Sequence, residues 1–441
     1  MLILYMKSSG FKNKKYNFPI LSRLNISFRN IFNFINPVLS ILNIRAVLVT
    51  ISILVFHCAI HPPEKPDLPY VLLNSLIQPE DSDSSTTENP NLCPSSNVNF
   101  NPNAVVDTGQ TQCWDSTGTN VPCAGTGQDG EFVNVPNQRS FSGPTQHCIY
   151  QNDYTTLDLI HGLTWKTCAQ GLSGANCSGG VVTPISWNNA SAGLTGSCAE
   201  LNTLNSGNGY AGKTNWRIPT IRELASLVHT TNTPRIDTTA FPNTPTADAY
   251  ISDTPLSLLP LQIYSTNFTD ANPVINLPKT FSRNLRCVSG NSVSSPSFVD
   301  NGDGTVTDQN TNLVWQQCPA GVTGGTCAIG MANTLNWTAA LNYCDTLNIG
   351  VRSNWRLPNV NELMSIVDYS APGAPFTYTA FFPNTPVGVY FWSSTSVIPI
   401  GLGVPNVARV FGFSGINHGQ SYGNIKAGGA LNYVRCVTDF P

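Results

Sequence analysis

Charge is scarce in this chain of 441 residues. Lys, Arg, Asp and Glu together make up 11% of it, against roughly a quarter in ordinary soluble domains, and Asn, Thr, Ser and Gly stand where surface charges usually would. That surface chemistry is typical of exported proteins. The sequence holds no Cys-x-x-Cys pair and no His-Glu-x-x-His, so the common local signatures of zinc binding and of zinc-dependent hydrolysis are missing. It also lacks a collagen Gly-X-Y run, which excludes a triple-helical stalk in this chain. The few charges are unevenly placed: residues 1–57 carry seven Lys or Arg and no acid, and without them the formal net charge goes from −3 to −10. A mature protein that acidic is a poor partner for nucleic acid, because no excess of cations remains to neutralise phosphates.

What the chain does contain is an internal duplication. Trp216-Arg217-Ile218-Pro219-Thr220-Ile221-Arg222-Glu223-Leu224 returns as Trp355-Arg356-Leu357-Pro358-Asn359-Val360-Asn361-Glu362-Leu363, and Arg286-Cys287-Val288 returns as Arg435-Cys436-Val437. Two similar domains in tandem are expected, the first over residues 104–290 with a lead segment, the second over 298–441, joined by the Ser-rich stretch 291–297. Residues 58–103, with Pro-Pro-Glu-Lys-Pro and Glu-Asp-Ser-Asp-Ser-Ser-Thr-Thr-Glu, read as a disordered tether. Residues 1–57 read as a signal peptide or membrane anchor, because the apolar run Ala46–Phe56 follows Arg45 and is too short to cross a bilayer comfortably. Ending at Cys58, this run resembles bacterial lipoprotein signals, which implies a lipid-anchored Cys58 and a place in the cell envelope, on the outer membrane and exposed at the surface.

Apart from Cys58, twelve cysteines remain. Cys168, Cys177, Cys198 and Cys287 of the first repeat match Cys318, Cys327, Cys344 and Cys436 of the second. Two bridges per repeat are expected: Cys168 with Cys177, Cys198 with Cys287, Cys318 with Cys327, Cys344 with Cys436. Cys113 and Cys123 flank a turn-rich segment and form a further pair, which leaves Cys93 and Cys148. A zinc cluster is the weaker reading, since its ligand pairs stand closer in sequence.

In the second repeat, Phe298 to Asp308 reads as a strand, a Gly-rich turn and a strand, Trp337 to Cys344 as a helix with Trp337, Ala340 or Leu341, and Cys344 on one face, and Asn359 with Glu362 as a capping box opening another helix. Thr220 with Glu223 does the same in the first repeat. Each unit is therefore expected to be α+β. Trp-Arg-Leu-Pro-x-x-x-Glu-Leu, the Trp-x-x-Ala-x-x-x-Cys helix, Asn-Gly-Asp-Gly-Thr-Val-Thr-Asp and the closing Arg-Cys-Val together resemble the C-terminal domain of the Legionella collagen-like adhesin. The resemblance implies adhesion, with a host or environmental glycan or matrix ligand and sulfated glycosaminoglycans among the candidates. A cysteine in the first helix paired with one in the last strand is also similar to C-type-lectin-like domains, and the Arg-Leu-Pro block to formylglycine-generating-enzyme-like domains, which share that architecture. The expected function is thus a surface-exposed bacterial lipoprotein that adheres or binds a ligand. A structural envelope lipoprotein and an enzyme on the formylglycine-generating type of fold are the alternatives.

Several motifs invite stronger chemistry. Gly207 to Thr214 matches the Walker A pattern, yet neither the strand before it nor the helix after it is expected, so no nucleotide is assigned. Asp300, Asp303 and Asp308 are better explained by turn formation than by a calcium loop, because the distal Glu is missing; no metal or cofactor is assigned. Arg217 and Arg356 could meet an anionic ligand, although an Arg organising the helix start through a carboxylate is the simpler role. None of the six histidines takes an equivalent place in the two repeats, which gives catalysis no foothold; the chain is not read as an enzyme. The ligand surface is sought in the loops of the second unit, where Trp392, Arg409, His418, Tyr422 and Lys426 mix aromatic and basic groups.

Overall fold

The duplicated sequence builds the same scaffold twice. The computed structural model describes residues 100–439 apart from 271, 400, 402 and 415–418; Cys58, Cys93, His418, the signal segment and most of the tether lie outside the described residues. In the first repeat, strands β1 (Phe141–Gln146), β2 (Tyr154–Asp158) and β3 (Thr164–Lys166) form an antiparallel sheet closed by the terminal strand β4 (Val288–Ser289). The second repeat repeats that order with β5 (Phe298–Asp300), β6 (Thr305–Asp308), β7 (Leu313–Gln316) and the terminal β8 (Val437–Asp439). Every residue of β6 and of β7 is buried. Both faces of these strands are covered, so apolar–polar alternation is absent.

Between the hairpin and the terminal strand of each repeat come the helices and a second sheet. In the second repeat, α1 (Trp337–Asp345) starts at Asn336, whose side chain accepts from the Ala339 amide, and buries Trp337, Ala340, Leu341 and Cys344. That is one helical stripe. The first repeat carries the insertion Gly193–Gly196 at this point. With Gly193 and Gly196 both at positive φ, the equivalent helix divides into Trp187–Ser191 and Cys198–Leu201, the latter restarted by the cap of Ser197. The next helices, Ile221–Ala225 and Val360–Ser365, both begin with a complete capping box, Thr220 with Glu223 and Asn359 with Glu362. The second sheets are Tyr250–Pro255, Gln262–Asn267 and Asn272–Pro278 in the first repeat, and Phe391–Val397, Val407–Phe411 and Ser421–Ile425, extended by Asn432–Tyr433 and Thr334–Leu335, in the second.

Disulfides join Cys113–Cys123, Cys168–Cys177, Cys198–Cys287, Cys318–Cys327 and Cys344–Cys436. Cys148 is disulfide-bonded as well. The longer bridges tie the helix after each hairpin to the residue just before the terminal strand.

The stretch 291–297 divides the repeats in sequence, whereas their largest buried cluster joins them in space. Ile221, Ala225, Leu256, Tyr264 and Val274 of the first repeat pack with Val360, Leu363, Met364, Phe391 and Phe411 of the second. Arg222 donates across this boundary to the carbonyls of Ser365 (3.1 Å) and Val367 (2.7 Å). Both repeats lie in one compact unit. The packed body also starts ahead of the tether's expected end at 103: the Asn101 amide donates to Ile160 O and Asn103 Oδ1 accepts from the Ser294 amide.

Residues 107–130, expected as a lead for the first repeat, run between the two together with their flanks 104–106 and 131–135, and the whole stretch 104–135 is called the lead below. On one side Thr230 donates through Oγ1 to Thr108 O at 3.0 Å, and Gly109 lies so close to His229 that a Cβ there would fall 2.4 Å from its Cε1, at a φ of +77°. On the other side Asn361 Nδ2 donates to Val106 O and Asp107 O, and the Ser396 amide donates to Gln110 Oε1. Asp129 is buried between them, accepting from Thr108 Oγ1 at 2.6 Å and from Thr395 Oγ1 at 2.7 Å.

Candidate functional site

The Trp-Arg-x-Pro block resolves into a helix-start lock. In the first repeat Arg217 clamps Glu223 with two bonds of 2.8 and 2.6 Å, and Glu223 Oε2 also accepts from the Thr220 amide. Arg356 holds Glu362 with two bonds of 2.6 Å while Glu362 Oε2 accepts from the Asn359 amide. Both glutamates are fully buried. Burial would lower the Arg356 pKa, but the charges of Glu362 and Asp439 outweigh it and raise the pKa above its ordinary value. The backbones of these arginines bridge to the terminal strands at Val288 and Val437, so the lock fixes a helix, a strand and a loop together.

The closing Arg-Cys-Val blocks bury a different kind of cation. Arg286 and Arg435 are fully buried, and each guanidinium lies over aromatic rings: Arg286 at 4.9 Å from Phe241, Arg435 at 4.7 Å from Phe382. Arg286 donates to the carbonyls of Lys166 and Thr167 and to Thr244 Oγ1, and Arg435 donates to Thr385 Oγ1 at 3.0 Å. Burial pulls both below the usual arginine range, Arg435 to about 9.

The residues nominated for a loop surface of the second unit are placed otherwise. Trp392 is fully buried on strand Phe391–Val397, its indole donating to Leu335 O. Arg409 is buried on the neighbouring strand and donates to Asp270 O of the first repeat at 2.6 Å, with burial lowering its pKa to about 10. Lys426 is buried, its ammonium 4.2 Å from the Trp337 ring centroid and 3.2 Å from Trp114 O; burial brings its pKa down to about 7. Tyr422 is half-buried, with its hydroxyl on Gln420 Oε1. Three of the five are therefore interior groups. They are covered by partners far away in sequence: the lead for Lys426, the first repeat for Arg409.

Strand register exposes an equivalence that the letters hide. Strand Gln262–Asn267 pairs Gln262 with Pro278, and Val407–Phe411 pairs Val407 with Ile425. Ser252 Oγ donates to Tyr264 O just as Ser393 Oγ donates to Arg409 O. Lys279 and Lys426, each the next residue after that pairing, are thus structural equivalents. Each ammonium sits over the Trp that opens the helix, Lys279 at 4.3 Å from Trp187 and Lys426 at 4.2 Å from Trp337. Loops of unequal length hide this pair from letter matching.

The two Lys–Trp pairs differ in what covers them. In the second repeat Trp114 of the lead adds a second indole 5.9 Å from Lys426, Phe132 of the lead lies over Arg356 at 5.5 Å, and Asp129 takes Thr395 Oγ1. In the first repeat the equivalent groups have no such cover among the described residues. Trp187 is half-buried, with Nε1 on Asp253 Oδ1 at 3.2 Å, and the ammonium of Lys279 lies over the Trp187 ring while its charge, like that of Arg217, acts on the Asp253 carboxyl. Arg217 keeps 29% of its side chain exposed against 6% for Arg356. Beside them Leu261 and Phe281 are exposed, and Arg283 stacks on Phe281 while pairing with Asp248 at 3.2 Å. This open aromatic and cationic face of the first repeat is the candidate site.

Elsewhere the polar motifs serve local structure. Asp300 accepts from the Gly302 amide, Asp303 from Thr305, and Asp308 from Asn310 and Thr311, each closing a turn. Around the Gly207–Thr214 segment lie two short helical turns, Asn205–Gly207 and Tyr210–Gly212, and Tyr210 O accepts the indole N–H of Trp216.

The profile of the Lcl C-terminal domain matches residues 154–289 and again 304–438. No curated protein and no solved structure matches the chain.

Proposed function

From the premise that the chain belongs to the Lcl C-terminal domain family, in two tandem copies, we propose that it is a surface-associated bacterial ligand-binding protein that works in adhesion. The observation that carries this reading is the face around Trp187, Lys279, Arg217 and Phe281. It presents aromatic and cationic groups at a place where the second copy has the equivalents of Trp187, Lys279 and Arg217 sealed. Aromatic groups beside cations favour ligands with flat or apolar surfaces and negative charge, so sulfated glycans and matrix proteins are the candidates. A sulfated glycan would have to be held by this local cationic patch, since the chain beyond the leader is acidic overall. The disulfides fit an oxidising compartment, and lipidation at Cys58 would place the protein on the outer membrane. The order hairpin, helices, second sheet, terminal strand, with a bridge from helix to terminal strand, supports a C-type-lectin-like identity for each copy.

A glycan and extracellular-matrix array probed at low salt tests the reading. Binding that falls with salt and with Lys279→Gln is expected; a blank array removes its main support. Protease shaving of live cells, with detection of this protein among the released peptides, tests the surface location.

A further inference from the structure

The second copy shows what fits the face that the first copy leaves open. There the occupant is a polypeptide, the lead, and it engages three groups. Its Trp114 adds a second ring to Lys426 beside that of Trp337, and its carbonyl takes the ammonium at 3.2 Å. Its Asp129 accepts from Thr395 Oγ1. Its Phe132 stacks on Arg356. The first copy offers the same three groups in the same fold positions. Lys279 rests on Trp187, with no second ring over it among the described residues. Thr254 is the counterpart of Thr395, each accepting through Oγ1 from the first amide of the capped helix, Ile221 or Val360. Arg217 is clamped to Glu223 like Arg356 to Glu362, but without an aromatic cover among the described residues.

We infer that the open face of the first copy is a docking surface for an extended polypeptide segment of lead-like chemistry. Such a segment has an aromatic side chain to close over Lys279, a carboxylate to reach Thr254, and a second aromatic to stack on Arg217. The inference rests on the binding role proposed above and names a partner class for it. Cation–π contacts gain when desolvated, and the exposed Leu261 and Phe281 add apolar area at the rim of the face. One difference shapes the expected preference. Asp253 stands on this face where the second copy has Ser394, each donating its amide to the proline carbonyl of the Trp-Arg-x-Pro block, Pro219 or Pro358. A carboxylate already present there selects against segments with more than one acid near Thr254.

The probe is a synthetic peptide of residues 105–135 of this chain, oxidised at Cys113–Cys123 and titrated calorimetrically into the full-length protein. One peptide should bind per chain, and Trp187→Ala and Lys279→Gln should each weaken it at least tenfold, while Val351→Ala, an exposed position of the other copy, should leave it unchanged. Lys279→Gln alters a surface group and keeps the fold, so it decides the matter if Trp187→Ala is unstable. Failure to bind, or binding unaffected by Lys279→Gln, overturns the inference; the latter would mean that the peptide displaces the chain's own lead. A heparin fragment serves as the second arm. Lys279-dependent binding of heparin without peptide binding overturns the polypeptide partner but leaves the adhesion reading standing. Peptide binding together with a blank glycan and matrix array supports the docking surface and removes the adhesion reading.

Discussion

At the scale of single residues, the two copies run the same experiment at different depths of burial. Glu362 and Glu223 are equally buried, but Arg356 is sealed by Phe132 whereas Arg217 is partly in water. Removing one partner of a sealed ion pair leaves an uncompensated charge, so Glu362→Gln should destabilise by about 3 kcal/mol, and Glu223→Gln by roughly 1–2 kcal/mol because solvent relieves Arg217. Urea unfolding of the two variants with disulfides intact measures the difference; equal losses would show that the lead does not seal the pair. Asp129 gives a pH signature. Burial pushes its carboxyl to about 7, against the hydrogen bonds of Thr108 and Thr395 that favour the anion. The folded state therefore keeps a proton that the unfolded chain has lost, and stability should decline as pH rises from about 4 to about 7. Thermal melts across that range should show Asp129→Asn with a flatter profile than the natural chain, and parallel profiles would count against a protonated Asp129.

At the scale of elements, the bridges differ by the loops they close. Cys198–Cys287 spans 89 positions and Cys168–Cys177 spans 9. On the chain-entropy account, removing them as Ser pairs should cost about 4.5 and about 2.5 kcal/mol respectively, read as the order of melting temperatures under non-reducing conditions. Much at this level was legible in the letters: the capping boxes, the stripe Trp337, Ala340, Leu341 and Cys344, and the division of the chain into two copies follow from local rules of spacing and capping. The candidate site was not. Trp392, Arg409 and Lys426 look like surface chemistry when read alone, because nothing local announces that Leu335, Asp270 and Trp114 take up their polar groups. Lys279 is hidden for the converse reason. Its equivalence to Lys426 lives in strand register, which loops of unequal length conceal.

At the scale of the whole molecule, the shared cluster around Ile221, Tyr264, Leu363 and Phe411 makes the copies one cooperative body. Residues 100–439 should unfold in a single calorimetric transition, and residues 298–441 alone should melt at least 10 °C lower and bind a hydrophobic dye, since their half of the cluster loses its cover. Two well-separated transitions would contradict the shared core. The lead carries a further consequence, in time. Trp114 leaves the ribosome 312 positions ahead of Lys426, the cation it covers, so one of the earliest parts of the body to emerge must wait for one of the last. The two-copy body is completed from its beginning by its end, and a chain cut short anywhere before Lys426 advertises the fact through an undocked tryptophan.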